Sequence, residues 1–312
     1  MTNITASLVK ELRELSGAGM MDCKKALGEV GGDIEAAVDW LRKKGIAKAS
    51  KKSGRVAAEG LVGVASRDRD GMGAIVEVNS ETDFVARNDK FQDMVSKIAT
   101  LALDANGDLE QLLASSLPDG GATVSACLTE MIATIGENMT IRRSDVLAVS
   151  EGVIANYVHA KVSDGLGKIG VLVALESTGD KEALAAFGRQ LAMHVAAANP
   201  LALDASGLDP ALLEREKAIL MDRAKASGKP DHILAKIAES GMKSFAKDNC
   251  LLDQGFVHDP SKSVAQAAKE AEKGVAAPIR IAGFIRYGLG EGIEKGNDDD
   301  FAAEVAAVAG LK

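Results

Sequence analysis

"EGLVGVASRDRDGMGAIVEVNS" (residues 59–80) and "EGVIANYVHAKVSDGLGKIGVLVALES" (residues 151–177) decide the fold, because the second repeats the plan of the first. Each opens on Glu-Gly, at Glu59-Gly60 and Glu151-Gly152, and runs through β-branched and small apolar residues. Each turns at Asp-Gly, at Asp70-Gly71 and Asp164-Gly165, and runs back. Asp-Gly between such runs is a hairpin signal, since Gly takes the left-handed backbone that tight turns require. A helical pattern follows each hairpin. Phe91, Met94, Val95 and Ile98 share one face in the first copy, and Leu184, Phe187, Leu191 and Val195 in the second. The expected fold class is therefore α+β, with a core of two related subdomains built on antiparallel sheets, residues 59–150 and 151–260. Two copies are too few for a solenoid.

Working outward, the first 45 residues read as three short helices. Leu8, Leu12 and Leu15 make a helical stripe, broken at "SGAGMM" (16–21). Asp22 is positioned to cap a second helix, ended by Gly31-Gly32, and Asp33 a third, with Gly45 as its stop. Residues 46–58 turn basic and small and are expected to be a solvated linker. Residues 121–138 read as helical, with Val124, Leu128, Met131 and Ile135 at helical spacing. Residues 207–246 read as a helical hairpin. Pro210 opens its first helix, Gly228-Lys229-Pro230 turn it, and Ile233, Ile237 and Phe245 lie on the second. Its apolar side is broad enough to meet a partner or a second copy of the chain. A short C-terminal module (261–312) holds a strand over 279–287 and an amphipathic helix in "DDDFAAEVAAVAG".

Composition narrows the function. The 312 residues carry a formal charge of −8, with 26% charged and 46% apolar residues, ordinary for a soluble globular chain. The acidic balance argues against a nucleic-acid partner, which calls for clustered Lys and Arg. Cys23, Cys127 and Cys250 have neither metal-ligand nor CxxC spacing, and their odd number argues against a disulfide framework. The N-terminus has charges throughout and no signal-type apolar region, and no apolar run nears the ~20 residues that span a bilayer. A cytoplasmic location without membrane contact is expected. "GLGKIG" (165–170) matches G-x-G-x-x-G but joins two strands, whereas the dinucleotide fingerprint must open a helix. There is no phosphate loop of the G-x-x-x-x-G-K-[ST] type, no HExxH and no G-x-S-x-G. No direct nucleotide binding, cofactor, metal or catalytic residue is expected.

Three places carry open alternatives. Phe84, in "NSETDFVARND" (79–89), either tucks under its own loop or stands out as a binding tip. Met20 and Met21, adjacent at a helix turn, are either core or an adaptable contact surface. His194, beside the apolar stripe of its helix, fits a satisfied, partly buried histidine.

A resemblance then reweights these. "TASLVKELRELSGAGMMDCKKAL", "GDIEAA", "LRKKGIAKASKKSGRVAAEG", "EVNSETDFVARND", "IGENMTIRR", "IGVLVALES", "MHVAAANP", "SGKP", "FVHDPSKSV" and "GEGIEKGNDDDFAAEV" follow one another in the order found in the bacterial elongation factor Ts family. These are guanine-nucleotide exchange factors of elongation factor Tu, and the resemblance spans nearly the whole chain. It departs mildly, with Arg87 where the family often has Lys and a different first hairpin turn. The resemblance implies an N-terminal three-helix module of the ubiquitin-associated type, the two-part α+β core, the protruding helical hairpin and the C-terminal module. It implies no covalent chemistry. Thr82, Asp83, Phe84 and Val85 would act on the partner's GTPase domain near its Mg²⁺ and phosphate loop. Phe84 would enter between helices, and Asp83 would hydrogen-bond and rearrange the elements beside it. Met20 and Met21 would dock the N-terminal module on another face, His194 would lie at the same interface as Phe84, and Ile135, Gly136 and Asn138 near it. A second domain of the partner and a homodimer through the helical hairpin are further implications. The alternative is a module that holds the same partner without exchange. A hydrolase or transferase with a site assembled only in space is a third reading, for which no motif speaks.

Overall fold

In the computed structural model, which describes residues 4–16, 18–226 and 231–294, the N-terminal segment forms α1 (Ala6–Ser16), α2 (Met20–Glu29) and α3 (Ile34–Lys52). The three close on a small core of their own, made of Val9, Leu12, Cys23, Ala26, Leu27 and Ala37. Asp33 caps α3, accepting from the Ala36 N–H at 2.9 Å. Two expectations are corrected here. Asp22 does not cap α2, which already begins at Met20. Its carboxylate accepts instead from Lys44 Nζ at 2.6 Å and Lys48 Nζ at 2.7 Å, tying α2 to α3. Gly45 does not stop α3. It is buried, and a Cβ there would come within 3.0 Å of the Ala133 methyl on a later helix. A close approach between helices, and not a helix end, is what this glycine serves, so the stretch expected as a linker is helical as far as Lys52.

The core has four layers. The first hairpin forms β1 (Glu59–Arg67) and β2 (Met72–Ser80), in register from Glu59↔Ser80 to Arg67↔Met72. Then come α4 (Asp89–Asp104), α5 (Leu109–Ala114), α6 (Val124–Ile135) and β3 (Met139–Ala148). The second hairpin forms β4 (Gly152–His159), β5 (Leu166–Gly167) and β6 (Ile169–Glu176), followed by α7 (Lys181–Ala198). One sheet has the order β3-β2-β1-β5. Side chains alternate between strand faces, so each sheet feeds two cores. Leu61, Ala74, Val76 and Val78 pack outward against Phe91, Met94, Val95 and Ile98 of α4. Val62, Val64 and Ile75 point inward and meet Ile154, Leu172 and Ala174 of the other sheet. Val171, Val173 and Leu175 face outward against Leu184, Phe187, Leu191 and Val195 of α7. Glycine lets the sheets close: a Cβ at Gly170 would lie 2.6 Å from Val62.

Two strands escape the hairpin plan. β5 falls inside the segment expected as a turn, yet pairs with β1, and Leu166 enters the first core. "GLGKIG" therefore runs strand to strand, with no helix opening on it. β3 pairs along β2 with a bulge, Glu77 facing Arg143 and Val78 facing Ile141.

Beyond α7 the chain forms an arm of α8 (Pro210–Ala226) and α9 (Asp231–Asn249), rooted on Ala202, Leu208 and Cys250. Its turn at 228–230 and the helix expected after residue 297 lie outside the described residues. β7 (Gly255–Phe256) and β8 (Asp259–Ser263) make a small ribbon, followed by α10 (Val264–Val275) and β9 (Arg280–Gly288). β9 extends the second sheet to the order β4-β6-β9, and α10 joins the core of α7. Residues 264–288, expected in a separate C-terminal module, thus complete the second sheet and its outer core. Ala276 ends α10 in the left-handed region at φ 60°, a conformation that favours glycine. Ala276→Gly is expected to raise the unfolding free energy by about 0.5–1 kcal/mol, checked by urea denaturation.

Candidate functional site

The turn between β2 and α4 splits its residues between solvent and core. Phe84 stands out, 72% exposed, while the next two residues, Val85 and Ala86, insert into the first core. Among the described residues no other Phe, Tyr or Trp is so exposed. Local hydrogen bonds explain the sharp change. Phe84 C=O accepts from the Arg87 N–H at 3.1 Å and Val85 C=O from the Asn88 N–H at 2.9 Å. Asn88 Oδ1 then caps α4, accepting from the Lys90 and Phe91 N–H groups. Asp83 accepts from Arg87 Nη2 at 3.1 Å, and the Arg87 guanidinium lies 5.8 Å from the centre of the Phe84 ring. The ring is thus presented beside an ion pair that leaves it largely in water.

The segment 135–138 lies against this turn. Thr82 donates to the Glu137 carboxylate twice, from N–H at 2.9 Å and from Oγ1 at 2.7 Å. In return the Asn138 N–H donates to Glu81 Oε1. Asn138 is itself buried and donates from Nδ2 to the Arg55 carbonyl at 2.7 Å, and Lys52 Nζ donates to the Gly136 carbonyl. Gly136 ends α6 at φ 90°, a position that glycine fills without strain. Ile135 packs partly against the first core.

The expected contact residues therefore divide. Phe84, Asp83, Met20 and Met21 reach solvent, the methionines 59% and 75% exposed at the start of α2. Val85 does not. Its side chain is 3% exposed and anchors the turn from below. His194 does not either. Its ring is fully buried, with Nδ1 accepting from the Val257 N–H at 3.1 Å. That bond fixes the tautomer, so Nε2–H donates to Gln254 Oε1 at 3.0 Å. Burial, opposed by the Gln254 bond and reinforced by nearby His258, holds its pKa below the ordinary 6.5. The ring fixes the β7–β8 turn, which exposes Val257 and His258. Glu81 and Glu137, which brace the turn, lie in stretches quoted for the resemblance, but no sequence pattern links them: Glu137 lies 55 residues from the threonine it holds.

Among the described residues no group of three His, Cys, Asp or Glu is arranged to hold a metal ion, and no helix is long and apolar enough to cross a membrane. What remains is an α+β protein of two antiparallel sheets packed back to back, with Phe84 on a turn and Met20 and Met21 at a helix start among its large exposed apolar side chains. The family model described as "Elongation factor TS" matches residues 81–291. Curated relatives named elongation factor Ts match almost end to end. That of Methylobacterium sp. (strain 4-46) is 66% identical over 98% of this chain and 99% of its own. That of Methylobacterium nodulans is 64% identical over 99% of both, and that of Bradyrhizobium sp. (strain ORS 278) 59% identical over the full length of both. The chain belongs to the elongation factor Ts family of translation elongation factors.

Proposed function

We propose that the chain binds elongation factor Tu carrying GDP and accelerates GDP release, without covalent chemistry and without binding the nucleotide itself. The observation that carries this is Phe84, a ring held mostly in solvent on a turn that is anchored on both sides. A largely exposed aromatic on a braced turn fits insertion into another protein, where it need not be ordered at the moment of contact. Its target is the region of the partner's GTPase domain that holds Mg²⁺ and the phosphates. The ion there bridges phosphate oxygens and loop side chains, so displacing the elements that carry those ligands weakens ion and nucleotide together. Asp83, at the foot of the ring, exchanges its Arg87 partner for groups of the displaced element. Met20 and Met21 dock the three-helix module elsewhere on that domain. The α8–α9 arm is left for a second copy of the chain, and the exposed face of the second subdomain for a second domain of the partner.

Linkage fixes the sign of the test: if the chain weakens GDP binding, GDP weakens the chain's binding by the same factor. The measurement is stopped-flow release of a fluorescent GDP from elongation factor Tu at rising concentrations of the chain. A hyperbolic rise in rate is expected. Binding without any acceleration would instead identify a holding module. In the same assay Met20→Ala/Met21→Ala is expected to raise the half-saturating concentration roughly tenfold, with the plateau rate kept, because its contacts are made equally before and during release.

A further inference from the structure

The two acids that flank the Phe84 turn form a crossed clasp. Glu81, just before Thr82, takes the N–H of Asn138. Glu137, just before Asn138, takes both the N–H and the hydroxyl of Thr82. Each acid thus secures the backbone of the residue that follows the other. Between Ser80, the last residue of β2, and the buried Val85, this clasp is the chief constraint on the backbone. The Ser80 hydroxyl donating to the Thr82 carbonyl at 3.0 Å and the Phe84 carbonyl accepting from the Arg87 N–H add to it. A third strand of the device comes from the end of α3. The Arg55 carbonyl accepts from Asn138 Nδ2, Arg55 Nη1 stands 3.5 Å from Glu81 Oε2, and Lys52 reaches the Gly136 carbonyl. The clasp therefore sits where the three-helix module, the end of α6 and the exposed ring converge.

We infer that Glu137 is a positioning residue for the Phe84 tip: its bidentate hold on Thr82 keeps the turn in the geometry in which the ring can enter the partner. The inference rests on the exchange reading above. Two charge-assisted bonds onto one residue fix the backbone direction two positions before the ring. Without them the turn is free to sample other conformations, and the ordering cost falls on the step in which the ring inserts. A positioning residue acts only through the group it positions, and this separates it from a residue that merely adds stability.

The experiment combines Glu137→Ala and Phe84→Ala in a double-mutant cycle on fluorescent GDP release, with Glu137→Gln as a conservative variant. Glu137→Ala is expected to lower the plateau rate about tenfold, and to add less than about twofold once Phe84 is already alanine. Glu137→Gln, whose amide oxygen can still accept from Thr82, is expected to recover part of the loss. Effects that multiply across the cycle, or an unchanged plateau in Glu137→Ala, would overturn the assignment. A second readout needs no partner. Hydrogen–deuterium exchange of the free chain is expected to show the Thr82 amide losing protection in Glu137→Ala while β1 and β2 keep theirs. Unchanged Thr82 protection would also overturn it. If the unmodified chain fails to accelerate GDP release, the exchange reading falls, and the protection measurement still decides whether Glu137 fixes the turn.

Discussion

Phe84→Ala is expected to slow chain-stimulated GDP release at saturation by about tenfold to a hundredfold, while the complex with elongation factor Tu still forms. Burying a phenyl ring stabilises by roughly 1.5–3 kcal/mol, and Phe84 starts 72% exposed, so most of that gain is still to be made. At about 1.4 kcal/mol per tenfold, its loss gives the stated range. The loss falls on the plateau and not on half-saturation if the ring is buried only as the phosphate site opens. Met20→Ala/Met21→Ala shows the opposite split, and running both variants in one stopped-flow series separates displacement from docking. An unchanged plateau in Phe84→Ala would sink the wedge. The same arithmetic limits it. A ~10⁴-fold change in GDP affinity needs about 5.5 kcal/mol of differential binding, more than one ring can supply. The three-helix module and second subdomain must contribute the remainder, which is a physical reason for so large a chain.

The second large effect concerns stability. Glu77 is fully buried on the inward face of β2. Its carboxylate accepts from Arg143 Nε at 2.6 Å, Arg142 Nη1 at 3.2 Å, Asn79 Nδ2 at 3.0 Å and the Gly290 N–H at 2.8 Å. The bulge in β3 makes this reachable, because Glu77 faces Arg143 and Val78 faces Ile141, leaving Arg142 as the extra residue beside the same carboxylate. Arg143 also stacks 3.9 Å over the Tyr287 ring of β9. Removing one partner of a buried ionic cluster costs about 3–5 kcal/mol. Both arginines are about 30% exposed and can turn to water, so Glu77→Ala is expected at the lower end, about 3 kcal/mol, in urea unfolding at neutral pH. Burial alone would raise this carboxyl's pKa. The Gly290, Asn79 and Arg143 bonds outweigh it, and the net shift is below the ordinary 4.5. A depressed folded pKa gives stability that is complete above pH 4.5 and is lost as pH falls through the lower folded value. The unmodified chain should therefore lose stability in that acid window more steeply than Glu77→Gln. Parallel pH profiles for the two would refute the assignment.

The repeat made most of the core legible, because Asp-Gly turns and strand-and-helix periodicities are local signals. β3 was hidden because its paired arginines and bulge break the alternation that marks a strand. β5 was hidden because two residues carry no period at all. At the site, Phe84 could be read as packed or as exposed, and the turn does both, one residue apart: Phe84 faces water and Val85 the core. No single-residue pattern distinguishes those neighbours. His194 was read from its own helix as a satisfied histidine, and its fully buried ring, held between the Val257 N–H and Gln254, fits that reading. Glu137 falls within the quoted "IGENMTIRR", but its hold on Thr82 could not be read there because the two lie 55 positions apart.

The inner faces of the two sheets have a consequence for the history of the chain. Val62, Val64 and Ile75 of one copy and Ile154, Leu172 and Ala174 of the other form one shared core, and β5, from the second copy, is a strand of the first copy's sheet. Whatever their ancestry, the halves are no longer interchangeable modules. Cutting between them would expose an apolar sheet face on each fragment and leave the first missing a strand. Separated, neither half would keep the joint that the other completes.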